Sequence, residues 1–199
     1  MDQGKTIGLD SHALATLRYI RSSIDRASVL ELPGSAGFAL GAIGCAATAL
    51  TLLPAMQSRW FPIWVAAAFP AVVAGGALLL RRSSLRQLAT AQLPLRNFFL
   101  CLFPGLALGA VVTAVLWTAG LEHSIRPVWL LAYGCALVSA SVVSTSTLAI
   151  MGCSFAGLGI VAFMTSDGVQ ALLMGAGFGV LHLLFARLIA MESRRGRKG

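Results

Sequence analysis

The sequence predicts an all-α, polytopic membrane protein, with six transmembrane helices preceded by an amphipathic interfacial helix. Hydrophobic residues make up 57% of the 199 residues and charged residues 11%, against about 25% charged in an ordinary soluble domain. Apolar runs long enough to cross a hydrocarbon core of about 30 Å recur along the chain. The basic residues cluster at the ends of these runs, as membrane topology requires.

The segment 10–31 predicts the amphipathic helix. Apolar residues recur there at spacings of three and four, which is the period of a helix with one apolar face. The other face carries Arg18, Arg21 and Asp25, which suits the headgroup layer or a groove on the cytoplasmic side of the protein itself. We expect residues 1–33 to form a cytoplasmic segment and these three side chains to belong to an interaction surface.

Six apolar runs follow and predict a transmembrane domain over residues 34–190. They cover about 34–53, 61–80, 98–117, 128–143, 147–164 and 169–190. Residues 128–164 carry no charge for 37 positions, which is too long for one crossing at 1.5 Å per residue. Two spans must share this stretch, and the run "SASVVSTST" is the natural turn between them. Trp60 and Trp64, near the start of the second span, predict anchors at the headgroup level.

The distribution of basic residues predicts the orientation. The linker 81–96 interleaves leucines with Arg81, Arg82 and Arg86, which suits a short helix on the membrane surface and extends the expected interaction surface. With both termini cytoplasmic, the inner segments hold thirteen Lys and Arg and the outer links hold two. We expect both termini to be cytoplasmic, with residues 191–199 forming a basic cytoplasmic tail.

Small residues recur at the spacing of close helix packing. The pairs are Gly37 and Gly41, Gly105 and Gly109, and Gly175 and Gly179. A glycine every fourth residue lets two helix backbones approach closely. We interpret these pairs as contacts within the bundle rather than as a dimer face.

Polar side chains at membrane depth are the candidate functional residues. His182 stands about 12 Å above the inner end of the last span, where an imidazole must find a partner. His182 can have a function, as a proton relay, a ligand or a contact to a substrate. Alternatively, it is a packing residue whose ring nitrogens are hydrogen-bonded to a neighbouring helix. A relay is disfavoured because no Asp, Glu or Lys lies at that depth. Ser144, Thr145 and Thr147 are candidates to line a polar cavity, and a transport hypothesis depends on the stretch 139–147 together with His182.

A serine and a histidine on different spans also raise the possibility of hydrolysis. Six spans with Ser154 on one helix and His182 on the last resemble rhomboid proteases. The GxSG motif of that family is absent because Phe155 follows the serine, and no oxyanion donor can be named. We therefore expect no catalytic residue and no enzymatic activity.

Cofactors, metals and nucleic acid are also disfavoured. The cysteines lie in four different apolar runs with no CxxC pair and no accompanying ligand set, so we interpret them as small hydrophobes and expect no cofactor or metal. The net charge of +8 is spread over the ends of apolar runs and not over one folded face. Membrane lipid, and not nucleic acid, is the expected partner.

Four stretches carry a resemblance to a known group of proteins. They are "LRYIRSSIDRASVLELPGSAG", "WLLAYG", "MGCSFAGLG" and "GFGVLHLLFARLIA". Together the chain resembles a family of uncharacterised bacterial integral membrane proteins with a short cytoplasmic N-terminal amphipathic helix and about six spans. Genes of that family can lie beside winged-helix transcription regulators, so the resemblance implies a role in envelope sensing or regulation.

Three functions follow as hypotheses. The first is a non-enzymatic inner membrane protein that acts by interaction with a cytoplasmic or membrane protein partner. The second is a small permease or efflux component for an apolar or weakly polar solute. The third, and the weakest, is an intramembrane hydrolase. The oligomeric state is left open by the sequence.

Overall fold

The computed structural model describes residue 30, residues 32–84 and residues 92–195. Within these ranges the chain is helical apart from short turns and contains no strand. The predicted helix over 10–31 falls outside the described residues except for Leu30. Arg18, Arg21, Asp25 and Arg86 fall outside them too.

The described helices follow one another in an order close to the predicted one. They are α1 (Gly34–Leu52), α2 (Trp60–Ser84), α3 (Gln92–Thr118), α4 (Ile125–Ser141), α5 (Ser146–Phe163), α6 (Asp167–Met174), a π-helical segment (Gly175–Leu181) and α7 (His182–Arg195). Short 3-10 turns, Pro54–Arg59 and Glu122–Ser124, precede α2 and α4. The last three elements run on without a break, so they form one long helix with a π-helical middle.

In the part of the chain that the structure describes, five helical stretches are long and apolar enough to cross a membrane. They are Gly34–Leu52, Pro54–Arg81, Leu95–Thr118, Ser146–Phe163 and Asp167–Met191. The protein is therefore a multi-pass membrane protein. Large apolar side chains such as Phe69, Val72 and Phe103 are exposed on α2 and α3, which is the expected surface of a helix that faces lipid.

The helix ends differ from the predicted ones around the second connection. α2 continues to Ser84 and α3 begins at Gln92, so both edges of the predicted surface helix over 81–96 belong to the long helices instead. Arginine has a high helix propensity, and nothing in "RRSS" stops a helix already under way. Pro70 and Pro104 likewise lie inside continuous helices.

Short connections make successive helices antiparallel, so the bundle has two ends. The first end, which we term the basic end, holds residues 30–33, the α4–α5 turn at 142–145 and the exposed Arg81. The second, which we term the opposite end, holds both 3-10 turns and the α5–α6 turn at 164–166. α4 packs between α3 and α5, while α1 packs against α2 on one side and against the π-helical segment and α7 on the other.

Glycine sets the closest approaches between these helices. A Cβ on Gly44 of α1 would overlap the backbone carbonyl of Phe178. A Cβ on Gly134 of α4 would lie 2.7 Å from the carbonyl oxygen of Gly152 on α5, and the reverse contact has the same length. Both helix pairs can reach these separations only because glycine has no side chain.

The predicted glycine pairs also lie inside the bundle, which confirms their interpretation as intramolecular contacts. Gly37 and Gly41 face Ala186 and Leu183, Gly105 and Gly109 face Ala136 and Ala132, and Gly175 and Gly179 face Thr48 and Cys45.

Gly44→Ala is expected to destabilise the bundle by about 1–3 kcal/mol, because the added methyl meets a backbone carbonyl that cannot rotate away. The matched control is Gly157→Ala on α5, where a Cβ would meet nothing within 4 Å and where alanine favours the helix by up to about 1 kcal/mol. Unfolding of the purified protein in mixed micelles of increasing SDS content measures both variants. Equal stabilities for the two alanines would contradict this packing.

Candidate functional site

His182 and Tyr133 form the polar contact at the centre of the bundle. The Tyr133 hydroxyl lies 2.8 Å from Nε2 of His182, and Nδ1 of the same ring lies 3.4 Å from the carbonyl oxygen of Gly177. The histidine is 4% exposed. Both nitrogens of this buried ring therefore face a protein group.

The two partners fix the direction of the hydrogen bonds. A backbone carbonyl only accepts, so Nδ1 of His182 carries a proton and donates to Gly177. In a neutral imidazole the other nitrogen is then an acceptor, and the Tyr133 hydroxyl donates to Nε2. The sequence has no Asp or Glu between Asp167 and Glu192, or from residue 123 to 166, so no carboxylate of these spans is available to stabilise a charged ring.

Two further aromatic rings, those of Phe155 and Phe178, pack against this pair. We term Tyr133, Phe155, Phe178 and His182 the aromatic cluster. Every ring contacts the other three, with centroid separations from 4.9 Å for Tyr133 and Phe155 to 6.2 Å for Phe178 and His182. These distances suit edge-to-face and offset stacking. Trp64 of α2 adds a further ring, 5.6 Å from Phe178.

The aromatic cluster joins elements that are far apart in sequence. Tyr133 comes from α4, Phe155 from α5, Phe178 from the π-helical segment and His182 from the start of α7. The last two lie on one helix face because they are four residues apart. Trp64, expected to anchor at the headgroups, packs on the cluster instead and is half-buried.

The π-helical segment positions the cluster. It contains three glycines that are all buried, and a Cβ on Gly177 would lie 2.9 Å from the Phe155 ring. The backbone can therefore lie directly against α5 and α1. π-Helical turns inside α-helices occur frequently at functional sites, and this one ends at the histidine.

The Ser154 and His182 pair of the hydrolase hypothesis is not hydrogen-bonded. The Ser154 hydroxyl donates to the carbonyl of Ile150 in its own helix at 2.9 Å. Both nitrogens of His182 are engaged by other groups, and its neighbour on α5 is Phe155. A nucleophile and its base need to lie within hydrogen-bond reach, so this arrangement gives no support to hydrolysis.

The predicted polar turn lies at the basic end of the bundle. The Ser144 hydroxyl donates to the carbonyl oxygen of Leu30 at 3.0 Å, and the Leu30 amide donates to the carbonyl of Val143 at 2.9 Å. The Thr145 hydroxyl is buried without a hydrogen-bond partner, and Thr147 is buried. Two hydrogen bonds therefore join the segment that leads into α1 to the turn between α4 and α5.

The predicted interaction surface is described only in part. Arg81 is exposed near the end of α2, and Arg82 follows it in the same helix. Arg96 at the start of α3 and Arg187 on α7 are also exposed. All of these positions lie toward the basic end, where Leu30 is hydrogen-bonded to the α4–α5 turn.

A second polar group, which sequence analysis treated only as part of a charge count, lies at the opposite end. Arg126, in the first turn of α4, is 7% exposed. Its guanidinium carbon lies 3.9 Å from the centre of a Trp60 ring. Nη1 lies 3.9 Å from Oδ1 of Asp167. In the sequence, the feature that Trp60, Arg126 and Asp167 share is that each lies at the first or second position of its helix.

Comparison of the chain with models of protein families, with curated proteins and with solved structures finds no match.

Tyr133→Phe is expected to lower the stability of the bundle by about 1–3 kcal/mol, because it leaves Nε2 of His182 buried without a donor. The control Ser154→Ala also removes one hydroxyl, but its bond lies within one helix, and the expected change is within about 0.5 kcal/mol. SDS unfolding of both variants gives the comparison.

A double variant tests whether the tyrosine acts through the histidine. Tyr133→Phe combined with His182→Leu is expected to cost less than the sum of the single changes, by about 0.5–3 kcal/mol, because no unpaired nitrogen remains for the tyrosine to satisfy. Strict additivity would mean that the two residues contribute independently.

Proposed function

We propose that this protein acts by interaction: a bundle of six membrane spans holds the N-terminal segment in place for a cytoplasmic partner. The observation that carries the proposal is the pair of hydrogen bonds that join Leu30 to Val143 and Ser144. They link Leu30, near the end of the predicted amphipathic helix, to the turn between α4 and α5.

The sixth span in this proposal is α4. Its 17 residues reach about 25 Å at 1.5 Å per residue, and it carries no charge after Arg126. Packing between α3 and α5 supports this, since a helix enclosed by protein does not need the continuous apolar surface of a helix in lipid. With six crossings, both termini lie on one side of the membrane.

The cytoplasmic orientation rests on charge. The exposed Arg81, Arg96 and Arg187 lie toward the same end as Leu30, and the basic residues of the sequence concentrate on that side. Basic residues are retained on the cytoplasmic face of bacterial inner membranes. Such a face attracts anionic lipid and acidic protein surfaces alike, and the family resemblance adds a regulatory or envelope-sensing role to the proposal.

The interior of the bundle supports interaction over ion-coupled transport. The Tyr133 and His182 pair satisfies its own hydrogen bonds, and the spans contain no carboxylate at membrane depth to couple an ion. A permease for an apolar or weakly polar solute is the second candidate, because a π-helical segment interrupts the last span beside that polar pair. Solute flux into liposomes that contain the wild type or Tyr133→Phe tests it.

The proposal predicts that binding of a partner depends on Ser144 as well as on the N-terminal segment. We expect deletion of residues 10–29 to abolish a stoichiometric association, and Ser144→Ala to weaken it about two- to tenfold, as loss of one hydrogen bond would. Gentle solubilisation of the tagged protein from its native membrane, followed by quantitative mass spectrometry, measures the bound partner.

Ser141→Ala is the matched control. Its hydroxyl donates to Val138 in the same helix at 2.6 Å and does not join the two segments, so binding should equal that of the wild type. The proposal fails if the same proteins remain bound in equal amounts after the deletion.

A further inference from the structure

Arg126 is a buried cation whose hydrogen-bonding capacity is unused. A guanidinium has five N–H donors, and in the part of the chain that the structure describes those of Arg126 make no hydrogen bond. Its partners are the face of Trp60 and an ion pair with Asp167 whose 3.9 Å separation exceeds a hydrogen bond. A buried charge with unsatisfied donors is costly for a fold to keep.

The guanidinium remains open to the outside. Among the described residues, the fully enclosed side-chain nitrogen and oxygen atoms that lack a hydrogen bond are Oγ1 of Thr145 and Oε1 of Gln170. No atom of Arg126 is among them, so its unpaired donors keep an accessible edge. The Asp167 side chain is 70% exposed, so it is free to turn outward.

The position of Arg126 determines which ligands can reach it. It lies in the first turn of α4, at the opposite end of the bundle, between the fully buried Ile125 and Pro127. That level of a membrane-spanning helix meets the phosphate groups of the lipid and the aqueous phase beyond them. Trp60 holds the plane of the guanidinium on one side through its ring face.

We propose that Arg126, held against Trp60, binds a phosphate oxyanion at this end of the bundle. The planar fork of donors matches two phosphate oxygens in a bidentate contact, which a lysine cannot reproduce. Asp167 is the competing anion. Its carboxylate pairs loosely with the guanidinium and turns outward when a phosphate takes its place.

The test measures phosphate binding by two probes on the full chain. The first is phosphatidylglycerol, added to the protein in detergent and counted by native mass spectrometry. The second is radiolabelled inorganic phosphate in equilibrium dialysis. Binding of the lipid without binding of inorganic phosphate assigns the site to a lipid headgroup, and binding of inorganic phosphate assigns it to a soluble phosphate source.

Three variants are expected to affect phosphate affinity differently. Arg126→Lys is expected to weaken binding by about tenfold or more, because it loses the bidentate, charge-assisted contact. Asp167→Asn is expected to bind at least as tightly as the wild type, since the competing charge is gone. Arg59→Lys makes the same exchange at an exposed position beside Trp60 and should leave affinity unchanged.

The proposal is overturned if neither probe binds the wild type, or if Arg126→Lys binds like Arg59→Lys. It is also overturned if Asp167→Asn loses as much affinity as Arg126→Lys, because the pair would then be purely structural. Melting temperatures of all three variants separate lost binding from lost folding. The result is independent of the N-terminal deletion, which alters the other end of the bundle.

Discussion

The absence of water inside a hydrocarbon layer is the constraint on which the rest of this structure depends. Every polar group within the spans must find its partner in the protein. Thr48 and Thr113 meet the requirement locally, since each hydroxyl donates to the carbonyl four residues earlier, at 2.8 and 2.7 Å. An imidazole cannot do this with both nitrogens. His182 needs a second helix, and Tyr133 supplies the donor.

Close helix packing accompanies that cross-helix bond. The backbones of α4, which carries Tyr133, and α5 lie close together at Gly134 and Gly152. The π-helical segment also approaches α1, which Gly44 permits. Aromatic rings then fill the space around the bond and exclude alternative partners.

The sequence predicted the features that follow from composition and period. Apolar runs and basic flanks are sufficient to locate the long helices, and the glycine spacing was sufficient to locate close contacts. The π-helical segment was not predictable, because a run such as "GAGFGVL" fits an α-helix equally well. Whether its hydrogen bonds are α-helical or π-helical depends on the helices that pack against it. The contact that Trp64 makes was not predictable for a related reason. A tryptophan at the end of an apolar run suits the headgroup layer, yet Phe178 on a distant element offers it a better contact.

The sequence also could not predict which side chains on different helices contact each other. His182 was identified as a residue that needs a partner, but a hydroxyl 49 positions away carries no signal that distinguishes Tyr133 from any other donor. Arg126 entered only through the count of basic residues in the outer links, and Asp167 carried no prediction. Their approach depends on where α4 and α6 begin, and a shift of one residue turns a side chain about 100° around its helix.

α4 is the element that these separate contacts share. Arg126 stands at its start, Tyr133 lies in its middle, and the turn at its end holds Leu30. It is not among the five long apolar stretches, because it has only 17 residues. Shortness is tolerable for a helix whose polar groups are satisfied by protein rather than by lipid. Any influence of one end of the bundle on the other would require two alternative packings of this helix, and the adjoining π-helical segment is the irregular element against which such a shift could occur.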